Sequence, residues 1–114
     1  MRIALTSTLL TLTLLAGGVA QAAEAAEAQH PAHQDMQKSM ETMHQGMEEG
    51  LKAKDPDLAF AKGMLAHHEG AVDMARYQLQ HGKDPEMRKL AEDIIQAQQK
   101  EIDQLNRWIK AHAK

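Results

Sequence analysis

Two short segments, Asp55-Pro56-Asp57 and Asp84-Pro85-Glu86, repeat one signal and decide how this chain can be divided. Each offers an Asp whose carboxylate can accept the unpaired N–H groups of a first helical turn. Each follows it with a Pro whose fixed φ suits the first helical position, and then with an acid that complements the helix dipole. A helix therefore starts at each point, and whatever precedes it must have ended. The stretch between them closes on His81-Gly82, where Gly82 is placed to take the left-handed conformation that ends many helices. The spacing predicts a second helix from about Asp55 to His81 and a third from Asp84 to about His112. The link between them is short, which makes the two an antiparallel hairpin. Upstream, Asp35 to Ala53 reads as a first helix packed alongside. No segment alternates with the period of a strand, so the fold class is all-α, a small helical bundle. Dimerisation is one way to complete a four-helix core from three helices.

The chain opens with Met1-Arg2, an apolar run from Ile3 to Leu15 interrupted only by Ser and Thr, then Gly17-Gly18 and Ala20-Gln21-Ala22. That order matches a secretory signal peptide with a small-residue cleavage site, and the run is short for a membrane span. Residues 1–22 are expected to be removed on export to the periplasm. No cysteine lies nearby to carry a lipid. Residues 23–34 read as a flexible leader in which Pro31 breaks any early helix, and 35–114 as a helical metal-binding domain.

An exported chain of this size with no cysteine has no disulfide staples, so helix packing, self-association or a bound ligand must stabilise it. The formal net charge is −3, with no basic stripe to neutralise phosphates, which excludes nucleic acid as a partner class. The chain carries eight methionines and seven histidines against one each of Phe, Trp and Tyr. Small domains ordinarily fill cores with Leu, Ile and Phe and use Met sparingly.

In the first helix Met36, Met40, Met43, Met47 and Leu51 follow steps of four and three, which keeps them on one face of a mostly polar helix. His44 stands at the edge of that line. Such a line can simply be core. Leu packs at lower entropic cost, however, and four methionines in its place suggest that the thioether itself is wanted. In the second helix Met64 pairs with His67 at i, i+3 and with His68 at i, i+4, so both can reach one ligand. Met74 falls on the same side as His67, and His68 lies within the apolar arc. Gly63 and Gly70 each cost roughly 1 kcal/mol of helix propensity, which a close approach by another helix would explain. In the third helix Gln98 and Glu101 fall within a face otherwise made of Met87, Leu90, Ala91, Ile94, Ile102, Leu105, Trp108 and Ile109. A carboxylate there needs a partner. The hairpin brings Glu101 toward the two histidines, as a metal ligand, as a group orienting a histidine ring, or as a plain ion pair.

Thioether sulfur suits Cu(I) or Ag(I) and is a poor ligand for Mg²⁺, Ca²⁺ or Zn²⁺, while imidazole suits copper in both oxidation states. Thiolates would oxidise outside the cytoplasm. A cysteine-free Met/His set therefore points to copper, with Cu(I) favoured and Cu(II) allowed. Met64, His67, His68 and Met74 are the main candidate ligands. Met36, Met40, Met43, His44 and Met47 form or complete a second group, and Gln98 and Glu101 support from behind. His30, His33 and His81 are at most weak Cu(II) contacts, and His112 has no assigned role.

Met64-x-x-His67-His68-x-x-Ala71-x-x-Met74-Ala75, followed by Ala91-x-x-Ile94-x-x-x-Gln98-x-x-Glu101-Ile102 and Trp108, resembles the domain of unknown function 305 family. That family is one of small exported proteins of ferritin-like fold, and it includes the CopM-type periplasmic copper-binding proteins. The likeness covers about residues 57–110. It implies copper binding through Met and His in resistance or homeostasis rather than catalysis, with Met64, His67, His68 and Met74 as ligand positions. A periplasmic copper exporter or oxidase would be the recipient. Leu105 stands where relatives often have Met, which removes one sulfur at that end. The Met line of the first helix lies outside the motif.

Two other readings compete. A di-iron oxidase on a ferritin-like bundle needs a Glu-x-x-His pair on each of two helices and two further Glu. The chain offers one such spacing, Glu41 to His44, and Ser39 is the single serine after the leader, so no enzyme is expected. A metal-free interaction module would use Met as adaptable packing against a partner helix.

Overall fold

The computed structural model describes residues 31–113, with side chains from residue 33. The expected signal peptide, His30 and most of the leader lie outside the described residues. Three helices follow one another: α1, Pro31–Leu51, α2, Pro56–His81, and α3, Pro85–His112. Among the described residues there is no strand, and no helix is long and apolar enough to cross a membrane.

Both repeated start signals work as chemistry requires. The Asp55 carboxylate accepts the N–H of Leu58 at 3.0 Å, and that of Asp84 accepts the N–H of Met87 at 2.9 Å. Each is followed by its Pro in the first turn. The first helix departs from expectation at both ends. It begins at Pro31 rather than Asp35, because a Pro that would break a helix interior is well suited to its first turn. It stops at Leu51, where Lys52 and Ala53 make tighter bonds to Glu49 O and Gly50 O in place of another α-helical turn.

Gly82 does not adopt the left-handed conformation. Its φ and ψ are −78° and 150°, and no described residue has positive φ. Glycine is needed there for space instead, since a Cβ would fall 2.7 Å from Gln78 O, which the Gly82 N–H itself caps. The turn is pinned from the other side by Arg88, whose Nη1 donates to Leu79 O at 2.7 Å and to Gly82 O at 3.0 Å. Those carbonyls would otherwise be unpaired at the end of α2.

α2 is the middle element, packed against α1 on one side and α3 on another. The α1–α2 contact is made by small residues. A methyl on Gly50 would fall 2.7 Å from Gly63 N, one on Gly46 would fall 2.7 Å from Ala66 Cβ, and one on Gly70 would fall 2.6 Å from Met43 Sδ. Close approach therefore accounts for Gly70, as the sequence implied. Gly63 has open space where its own side chain would be, and the tight fit there belongs to Gly50. The face of α1 against α2 thus runs through Met43, Gly46 and Gly50. The five-residue apolar line is only partly shielded: Met36, Met43 and Met47 are half-buried, Met40 is exposed, and Leu51 is 75% exposed.

The α2–α3 contact holds the shielded core, which is thin. Its apolar members are Ala61, Val72, Ala75, Ala91 and Ile102, joined by His68. Among the described residues no large side chain is completely sealed from solvent.

Candidate metal-binding groove

Adjacent positions on a helix point about 100° apart, and His67 and His68 use that difference. Their rings meet edge-on with centroids 6.1 Å apart. His68 is buried against α3, while His67 is exposed on the side of α2 that neither neighbour covers. His68 Nε2 bonds Glu101 Oε2 across the hairpin. The carboxylate oxygen accepts, so Nε2 carries the proton. In the neutral ring Nδ1 then holds the free lone pair, and this atom is buried with no partner among the described residues. Glu101 itself is not sunk in the interface as its place in the apolar face suggested. Its side chain stays 61% exposed and reaches inward to the ring. Gln98, one turn earlier, is half-buried, and its Oε1 also has no partner among the described residues.

His68 and Glu101 line an open groove of about 260 Å³ with Phe60, Met64, Gln104 and Leu105. Met64 also borders the neighbouring groove, which continues toward α1 through Phe60, Gly63, Met47 and Leu51. Met64 is therefore the sulfur that connects the α2–α3 side to the methionines of α1. Met36 and Met74 share a third hollow, with Met87, Leu90 and Ile94 of α3 across from them. Met43 lies against Gly70, inside the α1–α2 contact. Met40 and His44 are exposed on α1.

Among the described residues no three side chains drawn from His, Asp and Glu come close enough together to hold a metal ion. His81 sits away from these residues with its ring tilted on Tyr77 at 4.7 Å. His112 stacks on Trp108 at 4.1 Å, and its Nδ1–H donates to Trp108 O at 2.7 Å. Phe60 and Gln104, which the sequence does not single out, also wall the groove. The hairpin register set by Asp55, Gly82 and Asp84 places Gln104 opposite the stretch of α2 around Met64.

A sequence-family model matches residues 6–109, nearly the whole chain, and that family is described as a domain of unknown function. The chain belongs to the DUF305 family. It is also similar to an uncharacterized protein of Acanthamoeba polyphaga mimivirus, 40% identical over 50 residues. That match takes in 44% of this chain and 33% of the viral protein, so it extends over about a third of that relative's length. The two parts of the Met-His and Gln-Glu pattern lie within the matched residues, and this fold places them on facing helices.

Proposed function

We propose that this DUF305 protein is a non-catalytic copper-binding protein of the CopM type, exported to the periplasm, which sequesters Cu(I) or passes it on. The carrying observation is the state of His68. Glu101 accepts a hydrogen bond from Nε2–H, which in the neutral ring leaves a buried Nδ1 lone pair unspent beside the Met64 groove. A carboxylate that orients a histidine so that its other nitrogen can ligate is the usual support behind metal-binding imidazoles. Sulfur is supplied by Met64, with Met47 bordering the adjoining groove. His67 and Met74 stand on the same uncovered side of α2 and are close enough in helix angle to serve one surface. Met36, Met40, Met43 and His44 belong to a second, α1-based group. Copper here is cargo, and Ag(I) is the natural surrogate because it favours the same soft donors.

The test is competition for Cu(I) against a colorimetric chelator, comparing the parent chain with the His67→Ala/His68→Ala variant. The reading expects clear retention by the parent and loss in the variant. Equal, weak retention by both would end it.

A second reading keeps the same residues without metal. Met43 packed on Gly70 is a genuine interhelical contact, and it favours methionine as adaptable packing. Copper binding that is no tighter than to an unrelated helical protein selects this reading.

A further inference from the structure

We infer that the uncovered side of the three-helix layer is a homodimer interface, each chain's open face closing over that of a second copy. Among the described residues six large apolar side chains are exposed: Met40 (40%), Leu51 (75%), Phe60 (66%), Met74 (43%), Met87 (43%) and Leu90 (49%). They are not scattered. Leu51 and Phe60 border one groove, Met74, Met87 and Leu90 border another, and Met40 lies on the same flank of α1 as Met36 and Met47, which line these grooves. One side of the layer therefore carries apolar side chains at both ends, with His67, Glu101 and Gln104 between them.

With about 200 Å² for each such side chain when free, these six alone expose roughly 600 Å², the upper end of what monomers tolerate. Half-buried Met64, Ile94, Leu105 and Trp108 on the same side bring the patch toward the roughly 800 Å² per partner of a standard stable interface. The interior gives the second reason. A core whose five shielded apolar members include three alanines, in a chain without cysteine, is thin for a domain of this size.

The occupant follows from dimensions. The apolar run Ile3–Leu15 would span only about 20 Å as a helix, against about 39 Å for the 26 residues of α2. A single helix of that length would also fill only one furrow, whereas the open side has two, α1–α2 and α2–α3. A second three-helix layer matches both the length and the width, and a two-fold axis makes the patch its own complement. Nothing in this inference requires metal.

Sedimentation equilibrium with a chelator present tests it, on the full chain and on a chain that begins at Ala23. Both should show twice the 12.6 kDa-type chain mass, each relative to its own length, and a melting temperature that rises with protein concentration. Phe60→Lys and Leu90→Glu, which lie on the open side, should each weaken the dimer by about a hundredfold or more, while Lys62→Glu on the outer side leaves it intact. If either variant unfolds instead, the concentration dependence of the parent's melting still decides. Monomers at about 100 μM with concentration-independent melting would overturn the inference. So would a monomeric full chain beside an unfolded or associating shortened one, which gives the face to the N-terminal segment. A dimer indifferent to both substitutions also overturns it.

Discussion

His68 and Glu101 stand 33 positions apart in the chain and meet across the α2–α3 hairpin, the ring buried and the carboxylate still largely in solvent. The asymmetry matters. The exposed partner keeps most of its hydration, so the pair avoids the cost of sinking a carboxylate, and the buried partner is held in one tautomer.

Glu101→Ala should therefore lower Cu(I) affinity by about 10- to 100-fold with helix content unchanged, the scale seen when support behind a ligating histidine is lost. Chelator competition and circular dichroism check it together. Unaltered affinity would remove His68 Nδ1 from the ligand set.

Gly46 and Ala66 provide a test of the α1–α2 contact. Gly46→Ala adds a methyl 2.7 Å from Ala66 Cβ, an overpacking that should cost about 1–3 kcal/mol, offset in part by helix propensity. Adding Ala66→Gly relieves the clash, so a double-mutant cycle in urea should return a favourable coupling of about 1 kcal/mol. Additive effects would mean that the two helices do not meet at this point.

Asp55→Ala and Asp84→Ala should each destabilise the chain by about 0.5–2 kcal/mol, and Asn at either place should recover most of the loss. Thermal unfolding reads both. A silent Asp84→Ala would mean that the Arg88 contacts alone hold the turn.

These caps are also where the sequence was most legible. A side chain that accepts an N–H three residues on is a local event, and both helix starts follow from it. Pro31 misled because one residue type both breaks helices and begins them, and only the surrounding structure chooses. Gly82 misled because steric room and positive φ leave the same letter in a sequence. The spacing puts the line from Met36 to Leu51 on one face without saying how much of it is covered, and burial on α1 is set by how closely Gly46 and Gly50 allow α2 to come. That tertiary fact has no local signal. Of the candidate site, the facing of His68 by Glu101 could be anticipated from the hairpin, whereas the exposure of Glu101 and the groove wall of Phe60 and Gln104 depend on the angle at which the helices cross.

Replacing Met36, Met40, Met43 and Met47 together by Leu separates sulfur chemistry from packing. Helix content and melting temperature should hold or improve, because Leu loses less side-chain entropy on burial. The amount of Cu(I) bound should fall. An undiminished capacity would confine the ligands to α2 and leave α1 a packing role.

The backbone contact at Gly50 and Gly63 sets a limit on how the protein can receive a guest. Two helices that touch main chain to main chain cannot sidle together any further, and a short tether joins them just beyond the touching point. That end behaves as a fixed pivot, so accommodation falls to rotation about the supple torsions of the thioether arms, with no large swing of the rods that bear them.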